Sequence, residues 1–90
     1  MTYRLWYTSR AERSLSSCSR ETIIRIRDAM DDLAADDDPF RSIKRLKGLP
    51  ASPLYSYRIG EYRAILAIEQ DRLIIIVIDV GNRKTIYRKL

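Results

Sequence analysis

The sequence predicts an α+β fold of order β-α-α-β-β-β(-β), a small antiparallel sheet packed on one face by an N-terminal helical hairpin. Three observations carry that expectation. An alternating aromatic stretch, YRLWYT, stands near the start of the chain. Two stretches with apolar residues three or four apart follow it. The second half then holds three runs rich in β-branched and aromatic residues, separated by the two-residue gaps Gly60-Glu61 and Gln70-Asp71.

Residues 3–8 alternate as a strand does, and Trp6 is expected in the core. From residue 9 to about 17 a helix is expected, with Ala11, Leu15 and Cys18 at helical spacing, so Cys18 reads as packing. Ser19 suits the cap of a second helix, with Glu21 near the positive end of its dipole. Ile23, Ile26, Met30 and Leu33 form that helix's buried stripe, Met30 filling gaps. Asp38-Pro39 is expected to end it, because the residue before a proline avoids helical angles. The acidic run DDLAADDDP, residues 31–39, lacks the glycine-containing ligand spacing of a calcium loop and reads as a solvated helix end. Residues 43–53, IKRLKGLPASP, form a basic connector with a short strand near residues 44–47. Residues 54–59, 62–69 and 72–80 are the meander strands. The last of them, RLIIIVIDV, is apolar on both faces and reads as a central strand buried from both sides.

Ninety residues make one domain, spanning 1–90. With 46% hydrophobic and 32% charged residues the chain is globular in composition. The opening MTYRLWYTSR holds no long apolar run, so neither a secretion signal nor a membrane span is expected, and a cytoplasmic protein is the default. The single cysteine excludes an internal disulfide. With histidine absent as well, histidine-based triads and most soft metal sites are excluded, and no cofactor or metal is expected. Charge is unevenly placed. Residues 1–40 hold 6 Lys/Arg against 8 Asp/Glu, a net −2, and residues 41–90 hold 11 against 4, a net +7. A sheet-forming half with that excess suits a polyanion or an acidic protein.

The stretch RIGEYR, residues 58–63, sharpens this reading. If Gly60-Glu61 is the loop, Arg58 pairs with Arg63 and both point to one face, their β-carbons roughly 5 Å apart. Facing like charges cost a few tenths to about 1 kcal/mol. The two arginines either snorkel outward or meet a carboxylate such as Glu69, or they grip an anion such as a phosphate in bidentate fashion. A second basic motif, VGNRKTIYRKL, leaves the last strand. Strict alternation would put Arg83 on the opposite face, so a bulge at Gly81 is expected to return it, with Tyr87 four residues on.

Leu46-Lys47-Gly48, then Arg58 to Arg63, then Val80-Gly81-Asn82-Arg83 and Tyr87 resemble, in order, the hallmark residues of the RelE/ParE toxin superfamily. The resemblance covers essentially the whole chain. It implies the toxin half of a toxin–antitoxin pair, with an acidic, RelB-like antitoxin as partner. In the RelE branch it implies a ribosome-dependent endoribonuclease that cuts messenger RNA in the decoding site, without metal, through the substrate's 2′-hydroxyl. Arg58, Arg63, Arg83 and Tyr87 would then be catalytic, Arg83 on the leaving-group side, Tyr87 stacking on a base or moving a proton. Lys44, Arg45, Lys47, Lys84 and Arg88 would bind RNA. Leu54, Ser56 and Asn82 stand where such nucleases often carry basic residues, so no obvious general base is left. The other branch implies a ParE-like inhibitor of DNA gyrase, and a third reading is a catalytically inactive RNA- or protein-binding relative.

Overall fold

Thr8 turns the first strand into the first helix. Its hydroxyl accepts a hydrogen bond from the Ala11 amide at 3.1 Å and donates to the Ile78 carbonyl at 2.7 Å, so one side chain caps the helix and ties it to the sheet. A computed structural model of the protein describes residues 2–46 and 53–89. Within them the order is β1 (Arg4–Tyr7), α1 (Ser9–Ser16), α2 (Arg20–Ala35), a 3-10 turn (Pro39–Ser42), β2 (Lys44–Arg45), β3 (Tyr55–Ile59), β4 (Tyr62–Glu69), β5 (Ile74–Asn82) and a second 3-10 turn (Ile86–Lys89). The strands form one sheet in the order β1-β5-β4-β3-β2. The expected fold class holds, with one refinement: β1 joins β5 in parallel, while the other pairs are antiparallel.

The helical hairpin covers one face of this sheet. Ser19 caps α2 through the Thr22 amide, and Ile26, Met30 and Leu33 are fully buried. They meet Tyr3, Ala64, Leu66, Ile75, Val77 and Val80 from the sheet. Each large apolar side chain so buried contributes about 1.5–3 kcal/mol. Tyr57 reaches the same layer and donates to the Ala29 carbonyl at 3.4 Å.

Four expectations need correction. Helix α2 stops at Ala35, before Asp38-Pro39, because the Asp36 carboxylate accepts the Asp38 amide at 2.9 Å and offers the chain a competing turn. The Gln70-Asp71 loop is longer than two residues. Glu69 pairs with Ile74, and Leu73 sits at φ 52°, where its carbonyl accepts the Arg4 amide at 2.8 Å and anchors β1. Trp6 is 61% exposed, since Tyr3, Leu5 and Tyr7 take the helix side of β1 and alternation sends Trp6 outward. Strand β5 lies inside the sheet, yet Ile76 and Ile78 are only partly buried, because the helices cover one face alone. The expected strand over residues 44–47 is seen at Lys44–Arg45; Lys47 lies outside the described residues.

Burial raises the pKa of Tyr57, and likewise of Tyr7, above the ordinary 10.0. A raised folded-state pKa means that the native state holds its phenolic protons longer than the unfolded chain. Stability is therefore full below the ordinary phenol value and falls as pH rises from there through the folded-state values. Denaturant midpoints measured upward from pH 9 should show that fall, and Tyr57→Phe should flatten it.

Candidate functional site

The turn between β3 and β4 builds the centre of the site. Gly60 adopts φ +59°, a left-handed conformation that costs glycine nothing, and this closes the loop in two residues. Ile59 then pairs with Tyr62 and Arg58 with Arg63, as the loop length predicts. Ile59, Tyr57 and Tyr62 pack on the helix side, so the alternate positions Ser56, Arg58 and Arg63 belong to the outer face.

On that face the two arginines diverge. Arg63 runs back along the sheet and its Nη1 donates to Ser56 Oγ at 3.3 Å. Arg58, exposed, curls so that its Nε lies 3.5 Å from the Gly60 carbonyl. Ser56, only 2% exposed, also lies 3.0 Å from the Tyr87 hydroxyl. Its cross-strand partner on β2 is Lys44, which therefore shares its face, and Lys44, Arg45, Leu46 and Tyr87 line an open cleft of about 380 Å³.

Tyr87 is carried to Ser56 by the chain after β5. The expected bulge exists, but at Ile78: Leu66 pairs with Val77 and Ile65 with Asp79, leaving Ile78 as the extra residue. That extra residue reverses the alternation three positions before Gly81, which then sits directly opposite Arg63. Gly81 has a different task. A β-carbon there would lie 2.9 Å from Ile86 Cδ1, so its bare backbone is the seat on which the fully buried Ile86 rests. Asn82 shapes the intervening turn, its side-chain oxygen accepting the Lys84 amide at 2.9 Å and its carbonyl the Thr85 amide at 3.0 Å. Ile86 on Gly81 sets the position of its neighbour Tyr87 over Ser56.

Arg83 lies at the margin. Its amide donates to the Glu61 carbonyl at 2.9 Å, and its Nε stands 3.7 Å from the Glu61 carboxylate, a partly solvated pair of little energetic weight. Lys84 and Arg88 are exposed on the C-terminal turn. Arg45 pairs with Tyr55, one position out of step with Lys44, and still borders the same cleft. The structure thus brings Lys44, Arg58, Arg63 and Tyr87 to one face with Ser56 among them. Ser56 is the residue that sequence reasoning undervalued, marking it only as a missing base, although its spacing of two from Arg58 put it on the same face.

Every cationic group in this cluster can only donate hydrogen bonds, and Arg63 has donors to spare beyond the one on Ser56. Such a convergence of donors fits an anion with several acceptor oxygens. The acidic residues just after α2 have separate company, Arg41 standing 3.4 Å from Asp36 and 3.8 Å from Asp38. Among the described residues no three His, Cys, Asp or Glu side chains converge as a metal site would require.

The model of the ParE toxin of type II toxin–antitoxin systems (parDE) matches residues 5–87. Solved structures with the same architecture include three toxin–antitoxin complexes. The toxin–antitoxin complex RelBE2 from Mycobacterium tuberculosis contains a chain 24% identical, with a TM-score of 0.82 over 92% of this chain and 93% of that one. The archaeal RelE–RelB complex from Pyrococcus horikoshii gives 25% identity and a TM-score of 0.74 over 92% and 97%. The intact RelBE toxin–antitoxin complex of Escherichia coli gives 17% and 0.70 over 89% and 95%. Among curated proteins none has a significantly similar sequence.

Proposed function

The chain belongs to the ParE toxin family of type II toxin–antitoxin systems, within the RelE/ParE superfamily, and from that premise we propose that it is a toxin that cleaves messenger RNA on the ribosome. The observation that carries this reading is the outer-face cluster of Arg63, Ser56 and Tyr87, with Arg58 and Lys44 beside it. In this reading the substrate's 2′-hydroxyl attacks the adjacent phosphorus, giving a cyclic phosphate and a free 5′-hydroxyl. Arg63 and Arg58 neutralise the charge that builds on the phosphate oxygens, and Arg83 stands on the leaving-group side. Lys44, Lys84, Arg88, Arg45 and Lys47 track the RNA backbone. The ribosome orients the message, which matters for a site without a histidine or a β3 lysine to act as base.

A second reading, inhibition of DNA gyrase by binding, is favoured by the ParE family description and by Leu54 and Ser56 where a nuclease often carries basic residues. One comparison separates the two. Purified toxin should cut ribosome-bound messenger, leave free RNA largely intact and spare gyrase supercoiling. Intact ribosome-bound RNA together with blocked supercoiling would hand the role to gyrase inhibition.

The partner in this reading is an acidic antitoxin, in keeping with the solved RelBE and RelE–RelB complexes. The +7 half of the chain should make their association slow as salt rises. Stopped-flow mixing with the product of the neighbouring reading frame measures this directly; a rate indifferent to salt would count against an acidic partner.

A further inference from the structure

We propose that Ser56 is a positioning residue that turns Tyr87 into a hydrogen-bond donor aimed at the bound phosphate, an inference that rests on the RNA-cleaving reading of this face. An arginine has no acceptor, so Ser56 Oγ must accept from Arg63 Nη1 across their 3.3 Å contact. Ser56 has one proton left to place, and it is only 2% exposed, with the Tyr87 oxygen at 3.0 Å. Were Tyr87 the donor, the serine proton would be buried beside two donors with no acceptor among the described residues to receive it. An unmade buried donor costs more than the bond it forgoes contributes. The arrangement that satisfies both hydroxyls has Ser56 donating to Tyr87.

Tyr87, 43% exposed, then keeps its own proton for the cleft it lines with Lys44, Arg45 and Leu46. Arg63 polarises Ser56, and Ser56 in turn makes the phenol a better donor. A phosphate oxygen seated between Arg63, Lys44 and Tyr87 would receive that proton as a hydrogen bond. Ser56 thus takes a place in the site without touching the substrate.

The test is a double-mutant cycle on the full chain. Ser56→Ala should slow single-turnover cleavage of ribosome-bound messenger about threefold to tenfold, the worth of one neutral hydrogen bond, with KM and melting temperature little changed. Tyr87→Phe should slow it at least as much, and Ser56→Ala should cost clearly less in the Tyr87→Phe background than in wild type, the remainder being its hold on Arg63. Ser56→Cys, slightly larger than serine and only a weak donor, should follow alanine and serves if the alanine variant does not fold. The same four proteins titrated with inorganic phosphate should show the same non-additive loss of affinity. If the wild-type chain cuts no RNA yet the phosphate cycle is non-additive, the cleavage reading fails and the proton direction stands. Additive losses, or a Ser56→Ala variant equal to wild type in both assays, overturn the proposal.

Discussion

Arg63→Ala is expected to slow cleavage of ribosome-bound messenger RNA by at least about a hundredfold, the usual cost of removing one positioned charge-stabilising donor. Arg58→Ala should cost less. The two arginines are cross-strand partners, but only Arg63 extends over the sheet to Ser56, and through it to Tyr87. Arg58 is exposed and curled towards the Gly60 carbonyl, free to swing but not held in place. Arg63→Lys should recover little, since an ammonium cannot hold the serine and fork a phosphate together. Stability provides the control. Removing one of two facing cations relieves repulsion of up to about 1 kcal/mol, which offsets the lost bond to Ser56. The melting temperature should therefore stay within about 4–8 °C of wild type, the shift that 1 kcal/mol produces in a domain of this size. Equal losses at Arg58 and Arg63 would show that the serine contact gives Arg63 no special standing.

That asymmetry marks the limit of what residue order conveys. The pairing of Arg58 with Arg63 is legible because a two-residue loop with a glycine admits one register, and alternation does the rest. Caps at Ser19 and the buried stripe of α2 are legible for the same reason: each depends on neighbours within one or two turns. The bulge is a different case. Ile78 has no turn chemistry, and it is extra only because Thr8, 70 residues earlier, donates to its carbonyl while β4 pairs around it. Gly81 attracted the bulge in the sequence reading because glycine often marks one, whereas its real neighbour is Ile86, brought by a turn that Asn82 shapes. Trp6, expected in the core as part of the first strand, is exposed. In an edge strand covered on one face, parity outranks hydrophobicity, and Tyr3, Leu5 and Tyr7 hold the covered side.

Asp79 is the long-range contact on which the largest stability loss is expected. It is 1% exposed within the run IIIVIDV, where a carboxylate is tolerable only if its oxygens are engaged. One oxygen accepts from the Ser14 hydroxyl at 2.6 Å and from the Val80 amide at 2.8 Å, and the other lies 3.0 Å from Arg10 Nε. Helix α1 is thereby bound to β5 at the residue that follows the bulge. Asp79→Ala would strand a serine proton and a backbone amide and leave a void. Arg10 is 44% exposed and can regain water, which keeps the loss below that of a wholly buried pair. A fall of about 2–4 kcal/mol is expected, or roughly 10–25 °C in melting temperature. Asp79→Asn keeps an acceptor for Ser14 and Val80 and should recover part of it. Loss of this anchor also frees the bulge, and with it the parity that sets Gly81 against Arg63 and Ile86 upon Gly81. Cleavage measured well below the lowered melting point should therefore still be slower than wild type. A variant that melts within about 2 °C of wild type, on the scale of 4–8 °C for each kcal/mol, would show that the carboxylate holds nothing the helix needs.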